Sequence, residues 1–262
     1  MTSELDRFQL DGRVALVAGG SGGIGVRLCR ALAGLEARVA VVGRAAAGLD
    51  AAREAVEAAG STALVATGDM TRESDADRVV AETLAAFGRL DILVNAIGGG
   101  AGTALHPAED YPEPEWDRIV DLNLRSAFLV SKAAARAMID GGRGGRIMNI
   151  SSVRGQLGID AGFSAYVAAK GALDALTRQH ATEWAKYGIT VNTISPTFVR
   201  TPQVEDLLAD ENFRQRLLAR IPLRRIADTD DLVGAVLFFC SDASSFVTGQ
   251  VLTIDGGLTA CQ

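Results

Sequence analysis

The sequence predicts an α/β fold in which helices cover both faces of a doubly wound parallel sheet. Short β-branched runs alternate with longer segments rich in Ala, Leu, Glu and Arg throughout the 262 residues. The β-branched runs are almost continuously apolar, as strands buried on both faces are. No Pro/Ser-rich linker, internal repeat or low-complexity tract divides the alternation. These observations indicate one domain over residues 1–262 rather than two smaller ones.

The alternation places seven strands and seven helices along the chain. Strands are predicted at residues 13–17, 37–42, 62–66, 91–95, 145–150, 190–194 and 251–254. Helices are predicted at residues 24–33, 48–59, 73–87, 113–140, 164–187, 203–220 and 229–241. In open sheets of this kind, ligands bind beyond the carboxyl ends of the strands, where the strand order reverses. Functional residues are therefore expected directly after strands.

Composition excludes several classes of protein. A net charge of −6 with scattered basic residues argues against nucleic-acid binding. The three cysteines, Cys29, Cys240 and Cys261, are too widely spaced for a disulfide framework or a CxxC site. Two histidines are too few for a histidine-based metal centre. The sequence shows no signal peptide and no apolar stretch long enough to span a bilayer, so we expect a soluble cytoplasmic protein without a metal.

A glycine-rich turn follows the first strand, with the spacing Gly19-x3-Gly23-x-Gly25. A strand that turns through glycines into a helix brings bare backbone N–H groups and the positive helix end up to phosphates. The spacing differs from the commoner G-x-G-x-x-G fingerprint, and a plain loop is the alternative interpretation of the turn taken alone. The phosphate-binding interpretation predicts cofactor contacts from Gly19, Ser21, Gly22, Gly23, Ile24 and Gly25.

Polar residues also follow later strands. Asn95-Ala96-Ile97-Gly98 comes after the fourth strand, and Ser151-Ser152 comes after the fifth. Tyr166 and Lys170 are four residues apart on the next helix, so they project from one helix face. Asn123 lies in the long helix that precedes the fifth strand.

With these motifs in this order, the chain resembles the short-chain dehydrogenase/reductase family, in its shorter single-domain branch. The resemblance covers residues 10 to about 257, including Asp69 after the third strand and the tail at 247–257. It implies a Rossmann-type seven-stranded domain and hydride transfer between a nicotinamide and a carbonyl or secondary alcohol carbon. Three positions depart from the family pattern: Ala18 replaces a threonine, one extra residue separates Ser152 from Tyr166, and Pro196-Thr197 replaces Pro-Gly.

The resemblance implies a role for each polar residue. Tyr166 is the general acid in reduction and the base in oxidation. Lys170 lowers the pKa of Tyr166, with help from the positive nicotinamide of the oxidised cofactor, and binds the nicotinamide ribose. Ser152 donates to the substrate oxygen, and Asn123 holds a water that links Lys170 to solvent. Free tyrosine titrates near 10, so work near neutrality asks for a downward pKa shift of roughly 3 units. Each residue also has a structural interpretation: a buried aromatic, a solvated helix face, a helix cap and a mid-helix polar group.

The second strand ends at Gly43-Arg44 without the acid that NAD-preferring sites place there. A guanidinium at that position suits the 2′-phosphate of NADP, and the alternative is that Arg44 merely faces solvent at a helix start. Against NADP, Gly22 stands where many NADP-binding relatives carry a second basic residue. NADP(H) is favoured and NAD(H) stays possible. Asp69 is expected to accept from the adenine amino group, and Asn95 either contacts cofactor or braces strands. The remaining predicted cofactor contacts are Met70, Ala96, Gly98, Tyr166, Lys170, Pro196, Thr197 and Val199.

Substrate is the least determined feature. Pocket walls are expected from residues 98–107, 153–163 and 197–220, with 203–220 either a lid or a static cover. Arg154 meets a carboxylate or phosphate, or lies on the surface. The stretch 194–202 and the tail are similar to sugar and sugar-acid dehydrogenases such as gluconate dehydrogenases.

Assembly and two rival functions complete the expectations. The family resemblance and the Ala-rich stretch 165–181 favour a homotetramer. One rival is a catalytically silent nucleotide-binding sensor or scaffold on the same fold. The other is a nucleotide-sugar epimerase or dehydratase, which the glycine spacing and the lack of a C-terminal substrate domain disfavour.

Overall fold

Seven parallel strands form one sheet in the computed structural model, which describes residues 4–99, 102 and 105–261. The sheet order is β3-β2-β1-β4-β5-β6-β7, so the order reverses between β1 and β4. Every pair of neighbours is parallel. The doubly wound fold is thus confirmed. The strands are β1 (Val14–Ala18), β2 (Arg38–Gly43), β3 (Ala63–Thr67), β4 (Ile92–Asn95), β5 (Gly145–Ile150), β6 (Ile189–Pro196) and β7 (Val251–Ile254).

The helices agree with the sequence pattern except where two of them are divided. A π turn at Asp121–Arg125 interrupts the helix predicted at 113–140. The helix predicted at 203–220 is divided at Asp210, whose side chain accepts hydrogen bonds from Asn212 N and Phe213 N and caps a new helix. The helices are α1 (Gly23–Ala33), α2 (Ala46–Ala58), α3 (Glu73–Phe87), α4 (Glu113–Val120), α5 (Ser126–Gly141), α6 (Ser164–Trp184), α7 (Glu205–Ala209), α8 (Glu211–Arg220) and α9 (Asp230–Cys240).

The core consists of two apolar layers, one on each face of the sheet. Successive residues of β1 serve opposite layers, since Leu16 packs with α3 and α5 and Val17 packs with α1 and α9. Both side chains are fully buried, as expected for a strand covered on both faces. The helices therefore leave the carboxyl ends of the strands free to form a site. None of the helices in the described part of the chain is long and apolar enough to cross a membrane.

Candidate active site

The glycine turn after β1 packs against the backbone that follows β4. Gly19 has φ +85°, and a Cβ atom there would lie 2.6 Å from the carbonyl carbon of Ala96. A Cβ on Gly25 would collide with the carbonyl oxygen of Gly19. Gly22 caps α1 without any side-chain hydrogen bond, so no capping side chain competes for the first-turn N–H groups. The turn therefore has the close backbone approach and the uncapped helix end that a dinucleotide pyrophosphate needs.

A cleft runs from this turn across the reversal point of the sheet. Asp69 lies in it, with Oδ1 accepting from the backbone N and the hydroxyl of Thr71 at 3.1 and 2.8 Å. Arg44 also lines the cleft; it is exposed and forms no ion pair with any described residue. A nucleotide with an additional phosphate fits this lining, since the cationic Arg44 faces the cleft unneutralised. The predicted cofactor contacts that line the cleft are Gly19, Ser21, Gly22, Arg44, Asp69, Met70, Ala96 and Gly98.

Other predicted cofactor residues lie outside this cleft lining. The side chain of Asn95 is turned into the sheet, where Nδ2 donates to Ser131 Oγ at 2.9 Å and to Asn149 Oδ1 at 2.8 Å. This is the bracing arrangement that the sequence left open as an alternative. Thr197 N donates to Ile254 O at 3.3 Å. The remaining positions are Gly23, Ile24 and Gly25 in α1 and Pro196 and Val199 at or beyond the end of β6.

Lys170 is enclosed next to Gly98, which lines the cleft. Its side chain is only 2% exposed, and Nζ donates to the carbonyl oxygen of Ile150 at 3.0 Å. Burial lowers its pKa to about 8. A Cβ on Gly98 would lie 2.9 Å from both Lys170 Nζ and Asn123 Oδ1. Glycine at position 98 therefore leaves the space that the ammonium occupies.

Tyr166 lies one helical turn before Lys170, whose Nζ is 5.7 Å from the centre of the tyrosine ring. Burial raises the pKa of Tyr166, while a hydrogen bond from the Ser152 hydroxyl and the charge of Arg154 oppose that rise. In the chain by itself the pKa of Tyr166 is therefore raised, and the downward shift expected with the oxidised nicotinamide bound stays a prediction. The physical reason is that desolvation outweighs the nearby charges, and the lysine ammonium lies over the ring and bonds to Ile150.

Asn123 occupies the π turn between α4 and α5. Its Oδ1 accepts from Gly99 N at 2.9 Å, and its Nδ2 donates to Gly99 O at 3.0 Å and Ile119 O at 2.9 Å. Both amide hydrogens are thus used by the backbone. The side chain joins the loop after β4 to the helix, which leaves it no hydrogen to donate to the water expected beside Lys170.

The substrate side is covered by parts of the predicted pocket segments. An apolar cluster brings Leu157 together with Phe198, Val204 and Phe213. His106 N donates to Gly162 O at 3.4 Å, which joins the first two segments. Residues 100, 101, 103 and 104 of the predicted pocket lie outside the described residues.

Sequence reasoning singled out neither of two residues here, although position 203 lies within the predicted pocket wall 197–220. The side chain of Gln203 packs against Gly99, where a Cβ atom would collide with its amide. Tyr111 joins Tyr166 in a cluster built on Ile119 and Ala165. No motif marks either residue, because both reach the site from segments distant in sequence. Arg154, for which a surface position was an open alternative, is 7% exposed and buried beside Ser152.

Comparisons with known proteins extend over the whole chain. A family profile described as enoyl-(acyl carrier protein) reductase matches residues 18–259. A gluconate 5-dehydrogenase of Gluconobacter oxydans is 40% identical, with 98% of each chain covered. A crystal structure of a short-chain type dehydrogenase/reductase from Mycobacterium marinum is 35% identical, with a TM-score of 0.92 over 99% of this chain and 100% of that one. The chain belongs to the short-chain dehydrogenase/reductase family.

A third comparison concerns a relative with its cofactor bound. A gluconate 5-dehydrogenase from Burkholderia cenocepacia, solved in complex with NADP and tartrate, is 35% identical. Its TM-score is 0.92, with 99% of this chain and 100% of that chain covered.

The resemblance stated from the sequence is confirmed. As a family member, the chain is an NAD(P)-dependent oxidoreductase that acts on CH–OH or C=O groups. These relatives give no support to a catalytically silent protein.

Proposed function

We propose that this short-chain dehydrogenase/reductase interconverts a secondary alcohol and a ketone with NADP(H), using Tyr166 as general acid and base. The observation that carries the proposal is the convergence of Tyr166, Ser152 and Lys170 next to Gly98 of the cleft lining. The bound nicotinamide supplies or accepts the hydride. The protein residues then have to position the substrate oxygen and exchange its proton.

Each residue has a distinct task in this proposal. The pKa of a phenol is ordinarily near 10 and burial raises that of Tyr166, so the group carries the proton that the alkoxide formed during reduction takes up. Ser152 provides a hydroxyl donor to the same oxygen. Lys170, with a pKa of about 8, is mostly cationic at pH 7 and holds a positive charge beneath the phenol. Asn123 positions the loop at Gly99 rather than touching the reacting atoms.

NADP(H) is the favoured cofactor, with NAD(H) as the second choice. Arg44 has no anionic partner among the described residues and faces the cleft beside Ser21. The Burkholderia relative was solved with NADP. In this proposal Arg44 binds the 2′-phosphate, Asp69 accepts from adenine, and the uncapped start of α1 faces the pyrophosphate. The further contacts predicted at Met70, Ala96, Pro196, Thr197 and Val199 belong to the same hypothesis.

The substrate in this proposal is a small carbonyl or alcohol compound of the sugar or sugar-acid class. Two of the relatives are gluconate 5-dehydrogenases, at 40% and 35% identity. A loose similarity at residues 194–202 pointed in the same direction. We expect neither nucleic acid nor membrane as a partner, because the chain carries a net charge of −6.

Assembly and location complete the proposal. A single-domain homotetramer needs two different self-complementary surfaces. Phe128 on α5 is 40% exposed next to His180 of α6, and Leu252 on the edge strand β7 is 42% exposed. These apolar residues support two such surfaces, and sedimentation equilibrium measures the resulting mass. The buried free thiols of Cys29 and Cys240 support the reducing cytoplasm as the location.

The test is consumption of NADPH and NADH across keto sugar acids, enoyl and ketoacyl thioesters and cyclic ketones. Tyr166→Phe is expected to lower turnover by about 10²- to 10⁴-fold while NADPH binding is unchanged. Tyr187→Phe is the control, because Tyr187 is exposed at the distant end of α6. A Tyr166→Phe enzyme with a near-normal rate would remove Tyr166 from the acid/base role. Tight NADPH binding without any turnover would favour the sensor, and redox-neutral conversion of a nucleotide sugar would favour the epimerase.

A further inference from the structure

Arg154 is a buried cation without an anionic partner in the described part of the chain. It is 7% exposed and forms no ion pair with a described residue. Its side chain makes one hydrogen bond, from Nη1 to the carbonyl oxygen of Gly158 at 3.1 Å. A guanidinium carries five N–H donors, and burying it without an anion is costly. The Nε–Nη2 edge has no described partner, and neither atom is among the fully enclosed unpaired polar atoms. That edge is therefore open to a ligand.

Arg154 lies on the substrate side of the site, close to Ser152 and Tyr166. Its backbone N donates to Ser152 Oγ at 3.2 Å, which places it two residues from the proposed hydroxyl donor. Its charge also opposes the rise in the pKa of Tyr166, so the guanidinium is within electrostatic range of the phenol. Arg154 does not line the cleft that holds Arg44 and Asp69. The phosphates of the cofactor are therefore not its partners.

A second cation acts at the same place. Arg220, the last residue of α8, is close enough to lower the pKa of Arg154 by charge repulsion, together with burial. Arg220 also forms no ion pair with a described residue. No carboxylate contributes to the electrostatic environment of Arg154. Two cations without an anion between them form a site whose repulsion a bound anion would relieve.

We infer that Arg154, assisted by Arg220, binds a carboxylate of the substrate. An open Nε–Nη2 edge presents two parallel N–H groups, which match the two oxygens of a carboxylate. The inference rests on the proposed function and narrows its substrate class to hydroxy acids and keto acids. In the balanced reaction, a hydroxy acid and NADP⁺ give a keto acid, NADPH and a proton. The carboxylate takes no part in the chemistry and orients the CH–OH carbon beside Ser152 and Tyr166.

The first test measures binding to the NADP⁺ complex by calorimetry. D-gluconate and D-glucitol differ only in a carboxylate replaced by CH₂OH, and acetate with acetamide is a smaller pair of the same kind. We expect each carboxylate to bind about 10- to 100-fold more tightly than its uncharged counterpart. Arg154→Met should abolish this preference, and Arg154→Lys should retain part of it. Arg143→Met is the matched control, because Arg143 is exposed before β5, at the opposite end of the sheet.

Several results of this test would overturn the inference. Equal binding within both pairs, or a preference that persists in Arg154→Met, would exclude a carboxylate site at Arg154. Inorganic phosphate bound in an Arg154-dependent manner, without carboxylate binding, would assign the site to a phosphoryl group instead. Thermal unfolding and the NADPH dissociation constant of each variant verify that the fold and cofactor site are intact.

Kinetics separate this inference from the proposed function. With 5-keto-D-gluconate and its uncharged counterpart L-sorbose, Arg154→Met should raise KM for the keto acid about 10- to 100-fold and leave the values for L-sorbose unchanged. Arg154-dependent carboxylate binding in an enzyme that oxidises no NADPH would refute the proposed function while the subsite stands. Equal, Arg154-independent reduction of both compounds would refute the subsite while the function stands.

Discussion

Lys170 donates a hydrogen bond from Nζ to the carbonyl oxygen of Ile150 at 3.0 Å, at the carboxyl end of β5. This bond holds the ammonium 5.7 Å from the centre of the Tyr166 ring, in a place that is almost closed to solvent. A buried ammonium with one backbone acceptor is under-solvated, which is why its pKa is lowered to about 8. Burial of the Lys170 ammonium at this position therefore destabilises the folded protein.

The first prediction concerns this cost and its dependence on pH. The pKa of Lys170 falls from 10.5 in the unfolded chain to about 8, so the unfolded chain binds more protons between these values. Stability then rises with pH from about 8 to 10.5, and burial of the charge costs about 3 kcal/mol below pH 8. Lys170→Met should raise the free energy of unfolding at pH 7 by about 2 kcal/mol, after allowance for the lost hydrogen bond, while turnover is lost.

Denaturant unfolding at pH 7 and pH 10 measures this effect. The gain from Lys170→Met should shrink between the two values, because at pH 10 the folded wild type no longer carries the buried charge. Lys186→Met is the control, since Lys186 is an exposed lysine. A Lys170→Met protein that is less stable than the wild type at pH 7 would contradict the prediction.

The second prediction concerns Gly98, whose missing side chain leaves room for Lys170. A methyl group there would be 2.9 Å from Lys170 Nζ and from Asn123 Oδ1, so one of the two must move. Gly98→Ala should lower kcat about 10- to 100-fold, because small displacements at a reacting site are costly. Gly234→Ala provides the comparison, since a Cβ on Gly234 meets nothing within 4 Å. Steady-state kinetics of both variants measure the effect. Equal kcat values for Gly98→Ala and Gly234→Ala would contradict the prediction and show that Lys170 moves aside without loss of activity.

The third prediction concerns the choice of cofactor at Arg44. Removal of its guanidinium takes away charge-assisted hydrogen bonds to a 2′-phosphate that NADH lacks. Arg44→Ala should therefore raise the NADPH dissociation constant about 10- to 100-fold and leave that of NADH unchanged. Arg53→Ala is the control, because Arg53 lies on α2 and pairs with Asp50 and Glu57. Fluorescence titration with both nucleotides measures the change, and an unaltered NADPH affinity would exclude Arg44 as the phosphate ligand.

Local sequence patterns predicted most of the fold. The seven strands follow from apolar β-branched runs, and each observed strand lies within two residues of its predicted bounds. Two predicted helices are interrupted in the structure, for local reasons that the spacing of apolar residues does not reveal. Asp210 prefers to cap α8 rather than continue a helix, and Asn123 sits in a π turn tied to Gly99. The apolar periodicity is nearly the same with or without these interruptions.

The sequence predicted which residues form the site, but not how deeply their side chains are buried. The order of the glycine turn, Ser152, Tyr166 and Lys170 along the chain is a local property, so it can be recognised in the sequence. Whether Tyr166 is desolvated depends on residues such as Ile119 and Tyr111 that pack around it from other segments of the chain. For that reason the motif did not reveal that burial raises the pKa of Tyr166 in the chain by itself.

The sequence by itself determined the doubly wound parallel sheet and the residues at its carboxyl edge. Both follow from local sequence: apolar runs of neighbouring residues indicate buried strands, and the motifs occur in a recognisable order. Only the tertiary structure decided that Asn95 turns inward to brace β4 against β5 and that Arg154 is buried without an anion. The burial of a side chain and its charged partners depend on contacts from segments that are distant in the chain. A sequence pattern places a side chain on an element, and packing decides what that side chain meets.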